Sequence, residues 1–363
     1  MKHTVTLLLS DRACNFDCAY CYARHDHKKR TAEEPMTDFH AIDHLYEDVL
    51  RENPGTDFQT TFWGGEPFAN PHLRNVTHYI KDTYGGTFHA VTNGSLITDR
   101  LADWLIDNRF SVSISNDLSY QERLRGFQYL DLPDHSHAIA KLCRAGLMRG
   151  FQTVVTNQSP DIMAQANYVL AWTGKEGLTE EEVPSLNLLA VKSYSSGDGT
   201  GLLFREGTTE AEILASSMHA FATYAMLNPG SPLCEVFYKR ELVPAYNSLE
   251  GMPRGVMRAR GCGIFDRSHC FDLLGREWNC PHPFEQDPEH PVILEDKGLD
   301  LMCHGCPYMP QCNGICSQAT HAARMLSCES LRCFYRPIAQ AVYDASSEEM
   351  RRGYAPGIVK DLR

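Results

Sequence analysis

Residues 14–21 read CNFDCAYC and follow a short apolar segment, 5–9. The spacing of Cys14, Cys18 and Cys21 is C-x3-C-x2-C, and no fourth cysteine lies nearby. A cubane iron–sulfur cluster normally takes four thiolates, one for each iron. Three thiolates leave one iron open to bind something other than protein, and such clusters serve radical chemistry that side chains cannot perform. A zinc site is the alternative, because His25 and His27 follow closely.

Four further stretches complete a pattern with this cysteine spacing. They are TFWGGEP at 61–67, VTNG at 91–94, VSIS at 112–115 and VVTN at 154–157. Together with Tyr20 ahead of Cys21, they resemble the motifs of the radical SAM superfamily over about the first 200 residues. The resemblance implies a 4Fe–4S cluster on Cys14, Cys18 and Cys21, and S-adenosylmethionine (SAM) bound at its open iron. In that family, reductive cleavage of SAM yields a 5′-deoxyadenosyl radical that abstracts hydrogen from the substrate.

The hydrophobic pattern of the first half alternates between short strands and amphipathic helices. Strands are predicted at 5–9, 58–63, 88–92, 110–115, 151–156 and 186–191, and helices at 39–50, 73–80, 101–106, 135–148, 162–172 and 211–227. Such alternation indicates parallel βαβ units with right-handed crossovers. Six units predict an α/β fold, a partial (β/α)6 TIM-like barrel whose motifs all lie at the carboxyl ends of strands.

The motifs also predict the lining of the SAM pocket. The resemblance implies that Glu66 accepts the amino group of SAM through a charge-assisted hydrogen bond. Gly64 and Gly65 would allow the backbone to approach the cofactor closely. Arg123 or Arg125 would neutralise the cofactor carboxylate. The expected cofactor-binding residues are Tyr20, Gly64, Gly65, Glu66, Asn93, Ser113 and Ser115.

The C-terminal part of the chain is rich in cysteine. Eight cysteines lie between 262 and 328, and four of them, from Cys303 to Cys316, are spaced C-x2-C-x5-C-x3-C. This pattern resembles the SPASM domain, which carries two auxiliary 4Fe–4S clusters. Two structural zinc sites with four thiolates each are the alternative. The predicted domains are a barrel at 1–230, a connecting segment at 231–254 and a SPASM domain with a C-terminal helix at 255–363.

The resemblance implies how these cysteines are shared between two clusters. One cluster would take Cys262, Cys270, Cys280 and Cys316. The other would take Cys303, Cys306, Cys312 and Cys328, with Cys333 as the alternative to the last ligand. Cys143 and Cys234 stand alone in the sequence, so we expect them to be small core residues.

Composition limits the function further. The net charge of −12 argues against nucleic acid as a partner, because a basic face is the usual footprint. Fourteen cysteines and no secretion signal favour metal ligation over disulfides, and hence a cytoplasmic location. No apolar run is long enough to span a membrane.

Length and layout resemble the anaerobic sulfatase-maturing enzymes, with one departure. Those enzymes carry a catalytic aspartate directly after the cysteine that aligns with Cys280, whereas this chain has Pro281 followed by His282. Proline cannot act as a base, and His282 is the candidate replacement. A sulfatase maturase is therefore retained only as an alternative.

The wider resemblance is to enzymes that modify peptides. The predicted function is hydrogen abstraction from a peptide or protein, giving a crosslink or an oxidised side chain in peptide natural-product maturation. The partners expected are the peptide, an external electron donor such as flavodoxin or ferredoxin, and a separate leader-peptide-binding protein. Two alternatives are a SPASM dehydrogenase or epimerase acting on a sugar or aminoglycoside, and a non-enzymatic electron carrier, which leaves Gly64, Gly65 and Glu66 unexplained.

Overall fold

The computed structural model describes residues 3–8, 14–21, 39–52, 54–55, 57–191, 200–250, 268–272, 277–278, 303, 306–308, 312, 321–354 and 356–362. These residues belong to two compact units that interleave along the chain. The first unit is drawn from Met1–Ser115, Gln128–Arg149 and Gly263–Glu295. The second is drawn from Asn116–Phe127, Gly150–Cys262 and Asp296–Arg363. The predicted domain limits stay a prediction.

Strands and helices alternate through the first half of the chain, as predicted. The strands are β1 (His3–Leu8), β2 (Phe58–Trp63), β3 (Thr87–Thr92), β4 (Phe110–Ser115), β5 (Met148–Val155), β6 (Ser185–Ala190), β7 (Ser268–Asp272) and β8 (Glu277–Trp278). The helices are α1 (His40–Glu52), α2 (Leu73–Thr83), α3 (Asp99–Asp107), α4 (Gln121–Arg125), α5 (Pro133–Arg144), α6 (Ile162–Lys175), α7 (Thr209–Leu227), α8 (Pro232–Phe237), α9 (Val243–Leu249), α10 (His321–Ala345), α11 (Glu348–Arg352) and α12 (Pro356–Leu362).

The sheet of the first unit has the strand order β4-β3-β2-β1-β7-β8. Strands β1 to β4 pair in parallel, which requires the crossover helices between them. Strand β7 joins the other side of β1 in parallel, and β8 pairs with β7 antiparallel. Strand β7 was not predicted, because its sequence SHCFD has little apolar character and its pairing with β1 defines it as a strand.

One face of this sheet packs on the helices through aromatic side chains. Tyr46 of α1 meets Phe58 of β2 with ring centroids 5.3 Å apart. On the neighbouring strands, the ring centroids of Phe88 and Phe110 lie 5.7 Å apart, and Trp104 of α3 lies 5.7 Å from Phe110. These buried rings form the core of the unit and fix which residues of each strand face away from the helices.

The predicted helix at 135–148 was wrong at its end. Helix α5 stops at Arg144, and Gly146 follows with φ of 68°. The Gly146 amide donates to the carbonyl of Cys143, which closes the helix end. Met148 therefore opens β5 instead of ending a helix. The glycine turn, and not the apolar pattern, marks this boundary.

The second unit contains the parallel pair β5 and β6, with Gly150 opposite Ser185. Helix α7 packs along α10, and His219 Nε2 lies 3.0 Å from Asp344 Oδ2 between them. The Ser330 hydroxyl of α10 accepts a 3.1 Å hydrogen bond from the Phe204 amide. Within the described ranges, no helix combines the length and the apolar character needed to cross a membrane.

Candidate functional site

The loop after β1 gathers the three cysteines of the first motif. The Cys21 amide donates a 3.0 Å hydrogen bond to the Cys18 carbonyl, which closes the C-x2-C turn. The Phe16 amide points at Cys14 Sγ at 3.4 Å. Cys18 is buried, whereas Cys14 and Cys21 are partly exposed. Burial is the main cause that raises the pKa of the Cys14 thiol, and charge on Glu66 and Cys21 adds to it.

Glu66 is a fully buried carboxylate directly after β2. Its Oε1 accepts hydrogen bonds from the Phe68 amide at 3.1 Å and the Thr92 hydroxyl at 2.7 Å. Its Oε2 accepts one from the Asn93 amide at 2.6 Å. Burial raises the pKa of Glu66 to about 6, although the three hydrogen bonds favour the charged form.

The two glycines before Glu66 have backbone conformations that require glycine. Gly64 has φ of 87° and Gly65 has φ of 55°, both in the left-handed region. This turn brings the chain out of β2 so that Glu66 caps the short helical turn Pro67–Ala69 with its side chain. The glycines thus place the carboxylate of Glu66, and their close approach to the cofactor stays a prediction.

Asn93 connects Glu66 to the cysteine loop. Its amide nitrogen bonds Glu66, while its side-chain Nδ2 donates to Asn15 Oδ1 at 2.8 Å and reaches Cys14 Sγ at 3.8 Å. Ser95 completes the network, since its hydroxyl bonds Asn93 Oδ1 and accepts from Asn15 Nδ2, at 2.7 and 2.8 Å. Asn93 was predicted as a site residue, but Asn15 and Ser95 were not. Asn15 lies within the CNFDCAYC motif and Ser95 directly follows the VTNG motif, and these positions could have indicated them.

The structure also gives the exposure of the other three residues predicted for the SAM pocket, Tyr20, Ser113 and Ser115. Tyr20 is partly exposed within the cysteine loop. Ser113 is buried and Ser115 partly exposed, both on the same face of β4. Their roles stay predictions.

The segment after β4, in the second unit, holds a buried ion pair that the sequence did not predict. Arg125 Nε lies 2.8 Å from Asp117 Oδ2, and both side chains are almost fully buried. Asp117 Oδ1 accepts from the Val154 amide at 2.9 Å. The guanidinium of Arg123 donates an exposed hydrogen bond of 3.5 Å to the Gln158 carbonyl. The role suggested for Arg123 and Arg125 toward SAM stays a prediction.

The second cysteine group assembles in the C-terminal part of the chain. The Cys306 amide donates to the Cys303 carbonyl at 3.2 Å in another C-x2-C turn. Burial, with the nearby thiols of Cys312, Cys303 and Cys306, raises the pKa of Cys328 to about 11. The corresponding neighbours of Cys333 are Glu206 and Glu329. Charge on the three other cysteines thus affects Cys328, whereas charge on two glutamates affects Cys333. The choice of Cys328 as the last ligand stays a prediction.

The remaining predicted ligands are outside this group or outside the described residues. Cys270 lies in β7 opposite Thr6. Cys262, Cys280, Cys316 and His282 lie outside the described residues. Cys143 and Cys234 are buried in the core, as predicted. In the described part of the chain, no three His, Cys, Asp or Glu side chains are grouped closely enough to hold a single metal ion.

Comparison with known families identifies the N-terminal region. Residues 10–149 match the radical SAM superfamily. These residues therefore form a radical SAM domain, and the predicted superfamily is confirmed.

Two curated relatives share sequence with the chain. An uncharacterized protein of Methanocaldococcus jannaschii is 29% identical over 180 residues, 47% of this chain and 59% of that protein. The radical SAM cyclopropyl synthase TigE of Paramaledivibacter caminithermalis is 28% identical over 127 residues, 31% of this chain and 26% of that protein. The chain thus aligns with less than two thirds of either relative.

Solved structures share the fold over most of the chain. The protein anSMEcpe with bound AdoMet has a TM-score of 0.63 and 16% identity, over 94% of this chain and 98% of that one. The same protein with AdoMet and the Cp18Cys peptide has a TM-score of 0.62 and 15% identity, over the same shares. Streptococcus suis SuiB bound to the precursor peptide SuiA has a TM-score of 0.51 and 15% identity, over 78% and 60%. The similarity confirms the predicted α/β partial-barrel fold.

Proposed function

We propose that this chain is a radical SAM enzyme that modifies a peptide or protein side chain. The observation that carries the proposal is the connection between the cysteine loop and the buried Glu66 through Asn93. A radical SAM enzyme must hold its cluster and its SAM side by side, and this network fixes a thiol and a carboxylate next to each other at the end of the sheet.

The donor set fits the groups that the family requires. Cys14, Cys18 and Cys21 would bind a 4Fe–4S cluster as thiolates, and three thiolates leave one iron for SAM. When bound, the cluster and SAM supply a 5′-deoxyadenosyl radical for hydrogen abstraction. Ligation requires loss of the thiol protons, so metal binding is coupled to pH.

Glu66 retains capacity to bind an ammonium group. An ionised carboxylate offers about four acceptor positions on its two oxygens. Three are used here, two on Oε1 and one on Oε2. The remaining position on Oε2 would accept the SAM amino group, and the attraction of the two charges would offset the cost of burying this carboxylate. Asn93 would keep Glu66 oriented toward the cluster.

The C-terminal cysteines would hold two auxiliary clusters in a SPASM domain at 255–363. Cys303, Cys306, Cys312 and Cys328 would bind one of them, and the effect of the first three thiols on the pKa of Cys328 supports this set. Cys262, Cys270, Cys280 and Cys316 would bind the other. With eight thiolates used, neither cluster keeps an open iron, so both would transfer electrons. An external donor would supply the catalytic electron, and the reducing cytoplasm is the proposed location.

The peptide substrate is supported by the proteins that share the fold. The anSMEcpe structure holds the Cp18Cys peptide and SuiB holds its precursor peptide SuiA. Both peptides are bound by those proteins, and we extend the peptide substrate to this chain as a proposal. Nothing in the described residues favours a sugar over a peptide.

The proposal is tested by measuring 5′-deoxyadenosine formed by the anaerobic, reconstituted and reduced protein with host extract separated by size. We expect the macromolecular fraction to stimulate the reaction and protease treatment of that fraction to abolish the stimulation. Stimulation by the low-mass fraction alone, resistant to protease, would replace the peptide with a metabolite.

A further inference from the structure

The sheet of the first unit has two chemically different faces. The face toward the helices carries apolar side chains such as Val5, Phe62 and Phe88. The opposite face carries a polar row, defined as Thr6, Thr61, His89 and Ser111. These residues lie in register on four adjacent strands: Thr6 opposite Thr61, Thr61 opposite His89, and His89 opposite Ser111. Registered residues of parallel strands point to the same side of a sheet.

Such a row is unusual for a parallel sheet. Parallel strands covered on both faces are nearly continuously hydrophobic, because both faces pack against apolar side chains. Hydroxyl and imidazole groups gain little from that environment, since burial without a hydrogen-bond partner costs free energy. Thr6 and Ser111 are buried, but Thr61 and His89 remain partly exposed. The two outer residues of the row are thus held in the interior, while the two central residues are accessible to a polar ligand.

The hydrogen bonds of Ser111 fix the tautomer of His89. The Ser111 hydroxyl donates its only hydrogen to the Phe88 carbonyl at 3.1 Å. In this arrangement the serine oxygen accepts from His89 Nδ1 at 3.0 Å, which assigns the proton of the neutral ring to Nδ1. Burial and the nearby charge of Arg149 lower the pKa of His89 to about 4, which keeps the ring neutral at pH 7. Nε2 is left as an acceptor, for which the described residues offer no partner.

We propose that the polar row binds the substrate, with His89 Nε2 accepting a hydrogen bond from a peptide N–H group and Thr61 bonding the same segment. This inference rests on the proposed function and specifies how its peptide is held. His89 lies four residues before Asn93 along β3, about 13 Å at the usual rise per strand residue. The row would therefore hold the peptide backbone away from the reacting side chain, with Ser111 as a positioning residue.

The test compares substitutions in the polar row with a substitution on the helix face of the same sheet. Thr61→Val alters the polar row, and Thr60→Val is the matched control, because Thr60 is the adjacent threonine and its hydroxyl bonds Tyr46 on the helix face. His89→Asn keeps a donor for Ser111 but lacks Nε2, whereas His89→Gln restores a polar acceptor farther along the side chain. We expect T61V and H89N to raise the concentration of protease-sensitive extract fraction needed for half-maximal 5′-deoxyadenosine formation, about fivefold each. T60V should match the wild type, and H89Q should recover part of the loss.

A second readout does not depend on catalysis. Diethyl pyrocarbonate acylates neutral imidazole, and the labelling of His89 in the holoenzyme is followed by mass spectrometry. We expect a pool of synthetic random-sequence peptides to slow this labelling, while the exposed His78 on α2 reacts unchanged. A His89 that does not react, or whose labelling the peptides do not slow, would overturn the polar row as a peptide site. Absence of 5′-deoxyadenosine from the wild type would instead contradict the proposed function, and the labelling result would still decide this inference.

Discussion

The Asn93 amide donates a 2.6 Å hydrogen bond to Oε2 of the buried Glu66, while the side chain of the same asparagine reaches Cys14 Sγ. Asn93 follows β3 and Glu66 follows β2, so adjacent strand ends create this contact. One residue thereby connects the proposed SAM ligand with the proposed cluster ligand.

Glu66→Gln should weaken SAM binding without unfolding the protein. The amide retains an oxygen acceptor for its neighbours, but the charge that would attract the SAM ammonium is lost. A hydrogen bond to a charged group contributes about 1.5–3 kcal/mol, which corresponds to a roughly tenfold to hundredfold higher Kd. Equilibrium dialysis of the cluster-loaded protein with SAM measures the change. An unchanged Kd would remove Glu66 from the SAM site.

Stability of the metal-free and SAM-free protein should depend on pH through Glu66. Burial raises the pKa of this carboxyl from its ordinary value of 4.5 to about 6. The folded state therefore binds the proton more tightly, so the stabilising contribution is complete below pH 4.5 and is lost as the pH rises through 6. The difference between the two pKa values corresponds to a loss of about 2 kcal/mol in the free energy of unfolding.

Urea unfolding of the wild type and of E66Q across this pH range isolates the contribution of Glu66. We expect the stability of the wild type relative to E66Q to fall between pH 4.5 and 7. A difference that stays constant with pH would show that Glu66 does not titrate as its burial implies.

Gly94→Ala should destabilise the first unit and disturb the adjacent Asn93. Gly94 has φ of 80°, and an added Cβ would lie 2.5 Å from Tyr129 Oη and 2.8 Å from Ile114 Cγ2. Gly146→Ala is a matched control, since Gly146 has φ of 68° with nothing within 4 Å of the added Cβ. Backbone strain alone costs about 1–2 kcal/mol. Thermal unfolding should show a larger loss for G94A, and equal losses would contradict the role of this close packing.

Cys328→Ala and Cys333→Ala should differ in iron content. Cys328 lies by Cys303, Cys306 and Cys312, whereas Cys333 lies by Glu206 and Glu329. C328A should lose one cluster, about four irons for each chain, and C333A should keep it. Iron and sulfide analysis after anaerobic reconstitution measures this. Loss of the cluster from C333A alone would assign the ligand to Cys333.

The sequence was most informative where chemistry and local pattern coincide. Strands β2 and β4 begin and end at the predicted residues, because their sequences, FQTTFW and FSVSIS, mix aromatic, β-branched and small polar residues and are bounded by turn-forming residues. The cysteine spacing and the residues Gly64 to Glu66 identified the superfamily. These signals are local, so a single sequence contains them.

Contacts between residues that are distant in the sequence could not be predicted from the local sequence pattern. Asn15 joins the site through hydrogen bonds to Asn93, 78 positions away in the sequence, and to Ser95, 80 positions away. Asp117 and Arg125 form an ion pair that only the turn after β4 brings together. Strand β7 exists because β1 leaves an edge for it to pair with. In each case the partner, and not the residue itself, determines the role.

The central claim is tested most directly by anaerobic 5′-deoxyadenosine formation in Cys18→Ala and in Cys143→Ala, with dithionite and SAM but no added substrate. Cys18 belongs to the proposed cluster, whereas Cys143 is a buried core cysteine of α5. We predict that C18A forms no 5′-deoxyadenosine while C143A retains the wild-type reaction. Formation of the product by C18A at the wild-type rate would contradict the assignment of this loop to the catalytic cluster.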